Sequence, residues 1–327
     1  MNDGTQTIAR LAALTHELIA PLGDPRGGYA LLDFPDYSNV GDSLIWLGEL
    51  AYFDRHAGRP ASYVCTTHDF EGDALRQALP EGPVYLSGGG NFGDIWPRFQ
   101  QFRMAVMEAT VGRPVIQLPQ TILFRNDANA ALTREAIARH GNFTLMVRDQ
   151  RSVDYARAHL GVEPILAPDM AFSMGPMRPA VPVVRDTTYL VRTDQEAAAD
   201  RGMAAPSARL DVLSTDWIRE NVKPNFADRV RHKVARMVDT RSLERRFRDT
   251  AMAERERGMA LLGAGRTVVT DRLHGHILSL LLRKPHVVVD NSYGKIGGFM
   301  DAWTGRDPIV HRASNFEEAA RILDRII

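Results

Sequence analysis

Val84-Tyr85-Leu86-Ser87, followed at once by Gly88-Gly89-Gly90-Asn91-Phe92-Gly93-Asp94, decides how this chain is read. The first four residues form a short apolar strand, a glycine-rich turn follows, and a helix begins near Trp96. Four glycines in six positions let backbone amides approach a ligand closely. Gly88, Gly90 and Gly93 have the spacing G-x-G-x-x-G. Asn91-Phe92 and the delay of the helix to Trp96 make that a poor dinucleotide fingerprint, and no Gly-Lys-Ser/Thr follows to make a Walker loop. The run is too long for a bare turn. It reads as a ligand loop, with Gly89 and Gly90 allowing close approach and Asn91 and Asp94 offering polar groups to sugar hydroxyls.

The same strand-then-helix unit recurs on both sides. Tyr29–Phe34 is a strand before a helix over Ser43–His56. Val115–Leu118, Thr144–Val147 and Pro164–Ala167 continue the series, with helices near Asp127–Arg139 and Gln150–His159. Met174–Pro182, with three prolines and a glycine, interrupts it as an interdomain linker. Strands then resume at Thr188–Val191, Arg209–Leu213, Arg266–Thr270 and His286–Asp290, with helices over Leu273–Leu282 and Asn315–Ile326. The expectation is an α/β protein of two parallel sheets facing each other across a cleft, one in residues 1–175 and one in 183–327. At 327 residues the chain exceeds the usual limit of a single core. Ligands of such sheets sit beyond the carboxyl ends of the strands, so motifs directly after strands carry the chemistry.

Composition removes several classes. Forty basic and 40 acidic side chains leave no net charge to draw the protein to nucleic acid. The lone Cys65 forms no internal disulfide and anchors no cysteine metal cluster, which fits a reducing compartment. No apolar run spans a bilayer, and the start of the chain lacks a secretory core, so a cytoplasmic location is expected.

Three further motifs follow strands. Asn39-Val40-Gly41-Asp42 sits between a strand and a helix; Gly41 permits a tight turn and Asp42 reads as the N-cap, so the stretch suits either a capped turn or an anion- or hydroxyl-binding corner. Thr270-Asp271-Arg272-Leu273-His274-Gly275-His276 gathers an acid, an arginine and two histidines at a helix start. Arginine suits bidentate binding of carboxylate or phosphate, and imidazole moves protons at neutral pH. His274 and His276 are two apart and do not share a helix face, so no metal site is expected. Asp290-Asn291-Ser292-Tyr293-Gly294-Lys295 brings one of only four lysines after a strand, either to complete an anion pocket beside Arg272 or as a solvated side chain. Lesser signals are Arg148-Asp149, which suits an intramolecular pair, Pro168-Asp169, and Arg192 at a strand end. Lys223–Arg248 carries nine basic against three acidic residues, a local charge of +6, with Val230, Val234 and Met237 at helical spacing. It suits a solvated helix with one packed face, or a peripheral helix on an anionic membrane.

Asn39–Asp42, Gly88–Asp94, Leu118-Pro119-Gln120-Thr121, Arg148-Asp149 with Ser152, Pro168-Asp169 and Thr270–His276 together resemble the polysaccharide pyruvyl transferase family, in family order, over roughly residues 28–300. The resemblance implies two Rossmann-like domains in a GT-B-like arrangement. It implies transfer of pyruvate from phosphoenolpyruvate to a sugar of a bacterial exopolysaccharide or its lipid-linked precursor, usually as a cyclic ketal. No cofactor or metal is implied; phosphoenolpyruvate is the co-substrate. Arg272, Leu273 and His274 would line the phosphoenolpyruvate site on the C-terminal side, with Arg192 and Lys295 as further cations. The acceptor would lie against Asn39, Gly41, Gly89, Gly90 and Asn91. His274 is the expected proton donor, with Asp271, Asp42 and Asp94 as the other catalytic candidates. Lys223–Arg248 lies outside the family pattern and would place the enzyme at the inner membrane face. Two other classes share the architecture: a GT-B nucleotide-sugar glycosyltransferase, with Glu317 and Glu318 as ribose contacts, and a non-catalytic carbohydrate-binding protein.

Overall fold

A computed structural model describes residues 4–179, 181–193, 210–217, 241–290 and 295–327. Every strand pairing in it is parallel. The first sheet contains β1 (Ala30–Leu32), β2 (Tyr63–Cys65), β3 (Val84–Leu86), β4 (Gly89–Gly93), β5 (Val115–Leu123), β6 (Phe143–Val147) and β7 (Ile165–Leu166). The second contains β8 (Arg185–Leu190), β9 (Val212–Thr215), β10 (Gly265–Thr270), β11 (His286–Val289) and β12 (Val310–Ala313). Ten α-helices are present among the described residues.

The two sheets are wound alike. The first has the order β2-β1-β3-β5-β6-β7, and the second, read from its far edge, β9-β8-β10-β11-β12. In each, the strand order reverses beside the first strand, between β1 and β3 and between β8 and β10. Such reversals open a crevice beyond the strand ends, because the chain leaves in opposite directions on the two sides.

The glycine stretch expected as a loop is a strand. β3 pairs with Val115–Gln117 of β5, and β4 pairs with Gln120–Leu123 of the same strand. Gly88–Asp94 therefore resumes the line of β3 after an irregular step. Gly93 has φ 136°, a backbone conformation open to glycine and costly for other residues.

The sequence boundary at 175–183 falls between the sheets, and helices cross it in both directions. Ile8 and Leu11, on the Thr5–Ile19 helix, share an apolar cluster with Leu280 and Phe299 from the second half. In return, Phe247 on the Leu243–Gly263 helix stacks on Phe34 at 4.0 Å between centroids. Burying one such phenylalanine stabilises by about 1.5–3 kcal/mol. Val40, Leu44, Ala171 and Phe172 from the first half complete the same cluster with Leu273 and Ile277. The linker is pinned as well, Met177 N–H donating to the Leu281 carbonyl at 2.8 Å.

Candidate active site

At the β8/β10 reversal the backbone is laid out by hydrogen bonds from the strand ends. Thr270 Oγ1 donates to the Leu190 carbonyl and accepts from Arg272 N–H. Asp271, buried, accepts the Arg192 N–H at 2.8 Å, and burial pushes its carboxyl above the ordinary range. Arg272 is itself buried and forms a two-point pair with Asp216, a residue that no motif marks: Nε to Oδ1 is 2.7 Å and Nη2 to Oδ2 is 2.6 Å. Asp216 also accepts from Thr193 N–H and Oγ1. Burial opposes its ionisation, but the Arg272 and Thr193 hydrogen bonds outweigh that and lower its pKa. Arg192, Asp271 and Arg272 thus stand together at the second sheet's crevice.

Leu273 belongs to the apolar cluster between the halves. His274, one residue on, faces the first half. Its Nε2 lies 3.4 Å from Asp169 Oδ2, and Asp169 in turn pairs with Arg148 Nη1 at 2.6 Å. Asp169 and Arg148 are almost wholly buried. Burial opposes the charge on Asp169, but His274 and Arg148 beside it hold its carboxyl far below the usual range. The Arg148–Asp149 pair expected from adjacency is replaced by this one, because the two side chains leave the chain in different directions. Thr121 bridges them, accepting from Arg148 Nε and donating to Asp149, which caps the Gln150–Tyr155 helix. The Trp303 indole donates to the Arg148 carbonyl at 2.8 Å, a further tie across the two halves. His276 points elsewhere, into a buried chain with His286 and Thr304.

On the first-sheet side, the Val40–His56 helix starts three residues earlier than expected, and Asn39 rather than Asp42 is its N-cap. The Asn39 side chain accepts from Gly41 N–H and donates to Asp42 Oδ2, which also accepts the Tyr37 hydroxyl at 2.7 Å. A Cβ on Gly41 would fall 2.6 Å from His274 Nδ1, so the imidazole rests directly on this glycine. Next to Asp42 a crevice lies at the β1/β3 reversal, lined by Asp33, Pro35, Tyr37, Asp42, Ser87 and Phe99 among others. Glu49 lies beneath it. Its Oε1 accepts from Gly88 N–H at 2.8 Å and Ser87 Oγ at 3.1 Å, and burial pushes its carboxyl up to about 8.

The glycine stretch contributes unevenly. Gly89 lies near Asp42 and, with Gly90, begins β4. Asn91 is held from behind by the buried Arg103 and by Gln120. Asp94 stands apart from this crevice. Its carboxylate clamps the turn before the Asp127–His140 helix, accepting from Arg125 N–H, Asn126 N–H and Asn129 Nδ2. Asn291–Gly294 and the Lys295 side chain lie outside the described residues, as do residues 223–240 of the basic stretch. In its described end Arg248 bonds to Asp54 and Glu244, and Arg241 to Asp249. No described helix is long and apolar enough to cross a membrane.

Sequence reading singled out His274, Arg272 and the Asn39–Asp42 corner because motifs carry them. It gave no role to Asp33, Glu49 or Asp216. Asp33 and Glu49 sit singly in or beside apolar runs, and only the fold turns them toward the crevice.

Comparison with known proteins gives the family and the fold. The family described as Polysaccharide pyruvyl transferase matches residues 39–293, from the N-cap of the Val40–His56 helix to beyond β11. The chain is 31% identical over 291 residues to pyruvyl transferase 1 of Schizosaccharomyces pombe, covering 84% of this chain and 69% of that protein. It is 31% identical over 275 residues to the putative pyruvyl transferase EpsO of Bacillus subtilis, covering 83% and 84%. The crystal structure of an uncharacterised Klebsiella pneumoniae protein superposes with a TM-score of 0.62 at 17% identity, over 93% of this chain and 98% of that one, and shares its fold. The matched span runs through both sheets and every motif around His274: this chain belongs to the polysaccharide pyruvyl transferase family.

Proposed function

We propose that this chain transfers pyruvate from phosphoenolpyruvate to two hydroxyls of a saccharide, an exopolysaccharide unit or its lipid-linked precursor, and closes a cyclic ketal. The observation that carries this reading is the position of His274. It rests on Gly41 beside the first sheet's crevice, is backed by Asp169, and lies two residues from Arg272 at the second sheet's crevice. The donor's carboxylate and phosphate call for fixed cations, and Arg192 and Arg272 stand at the β8/β10 reversal to meet them.

In this reading His274 gives a proton to the methylene carbon of phosphoenolpyruvate. The Asp169 carboxylate, 3.4 Å from its Nε2, backs the ring. The first hydroxyl adds to C2 and loses its proton. Phosphate then leaves with the C2–O electron pair, and the second hydroxyl adds in its place. Of the two hydroxyl protons, one restores His274 and the other leaves with phosphate, so the reaction needs no outside oxidant or reductant. Buried carboxylates near C2 favour the cation-like centre formed twice along the way.

A glycosyltransferase reading asks the Asn315 region to hold a ribose. There Glu318 already accepts from Ser314 N–H at 2.7 Å and Ser314 Oγ, completing the cap of its own helix. Thermal unfolding with each donor separates the readings. Phosphoenolpyruvate at about 100 times its Kd should add about 2.7 kcal/mol and raise the Tm. A Tm raised by nucleotide sugars and unmoved by phosphoenolpyruvate would reverse the assignment.

A further inference from the structure

Asp94, Asp42 and Asp33, carboxylates near the first sheet's strand ends, differ in what already occupies them. Asp94 accepts three hydrogen bonds. One oxygen of Asp42 accepts two. Asp33, directly after β1, is 5% exposed, lines the crevice, and its Oδ1 has no hydrogen-bond partner among the described residues. Buried carboxyl oxygens are ordinarily bonded, because leaving one unmet costs about 1–3 kcal/mol. Asp33 also has φ 75°, a left-handed conformation that only one other described non-glycine residue, Arg283, shares. Strain and an unmet oxygen at one residue both cost stability, and such features persist where function requires them.

We infer that Asp33 is a catalytic residue of this transfer: in the crevice between β1 and β3 its carboxylate takes the proton of the attacking saccharide hydroxyl. The inference rests on the proposed pyruvyl transfer and adds to it the residue that activates the acceptor. The hydroxyl O–H bond breaks as its oxygen bonds to C2, and the proton moves to Asp33, which later releases it to departing phosphate. The surroundings suit that exchange. Burial pushes the Asp33 carboxyl up to about 7, Arg103 and Arg98 of the Pro97–Ala109 helix draw it down, and Asp42 and Asp36 push it up. Glu49, Tyr37 and Cys65 are its other titratable neighbours. Arg103 is buried and bonds only to Gln117 and Asn91 among the described residues, so Asp33 could instead serve merely as its counter-charge.

The test compares the full chain, Asp33→Asn and Asp33→Gly with phosphoenolpyruvate and a panel of aryl glycosides bearing vicinal and 1,3-diols. Asparagine and glycine both tolerate the left-handed backbone. Both variants should be at least as stable as wild type and should bind phosphoenolpyruvate within about twofold, while kcat falls by about 100-fold or more. Wild-type kcat should rise with pH through about 7, and the residual rate of Asp33→Asn should lack that limb. A variant kcat within about fivefold of wild type, with the limb intact, overturns the inference and leaves the proposed function standing. Loss of stability in both variants makes Asp33 the counter-charge of Arg103 and also overturns it. A wild type that pyruvylates no saccharide overturns the proposed function and this inference with it.

Discussion

Gly41 and His274 come from opposite halves of the chain, and a Cβ on the one would lie 2.6 Å from Nδ1 of the other. The glycine sits in a helical turn, so its conformation does not require glycine; the imbalance is purely of space. Gly41→Ala should displace the imidazole. Alanine is the better helix former by about 1 kcal/mol, which offsets part of the crowding. The expected result is a folded protein with kcat lower by about 100-fold, the scale of a 1 Å misplacement. Steady-state kinetics and thermal unfolding on the same preparation check it.

Asp169 joins His274 to Arg148 in a largely buried set. Asp169→Asn strands a buried guanidinium, which costs about 3–5 kcal/mol, and should remove most activity. The Asp169 carboxyl is held below its unfolded value of 3.8. Its stabilising contribution is therefore present above that pH and lost as pH falls through the folded value. Urea unfolding should show the same deficit in the variant at pH 7 and pH 4, shrinking only as pH falls below 3.8.

Arg272 and Asp216 place a fork against a carboxylate. Lysine keeps the charge and loses the fork, so Arg272→Lys should weaken phosphoenolpyruvate binding by about tenfold or more. Asp216→Asn should weaken it too, by releasing the guanidinium from its fixed plane. Calorimetric titration with phosphoenolpyruvate reads both; donor affinity unchanged in both variants would place the anion elsewhere.

Burial pushes the Glu49 carboxyl from 4.5 up to about 8. The folded state holds this proton where the unfolded chain has lost it. That contribution to stability is full below pH 4.5 and disappears as pH rises through about 8. Glu49→Gln keeps an acceptor for Ser87 and Gly88 and cannot ionise. It should match wild type within about 1 kcal/mol at pH 6, and lose less stability between pH 6 and pH 9. Unfolding curves at the two pH values decide this.

The alternation of apolar runs and helices was enough to read β1, β3, β5, β6, β7, β8, β10 and β11 from the sequence, and to place β9 a few residues early, because strands buried on both faces are written as short unbroken apolar runs. Tyr63–Cys65 escaped: three residues are too few to show a period. The Gly89–Gly93 strand escaped because glycines carry no side chains by which a face could be recognised, and its pairing is supplied by the far end of β5. At the site, the residues in motifs were visible and their partners were not. Arg148 meets Asp169 twenty-one positions away rather than its neighbour Asp149. Asp33 reads in sequence as one polar residue within the Tyr29–Phe34 run; its place after β1, its burial and its backbone conformation belong to the fold.

Mass spectrometry of a diol-bearing glycoside after incubation with phosphoenolpyruvate tests the central claim most directly. The wild-type protein should convert the glycoside to its pyruvyl ketal with release of one phosphate per ketal, and His274→Ala should form neither. A glycoside left unchanged by wild type across the whole panel, or converted equally well by His274→Ala, would contradict the account.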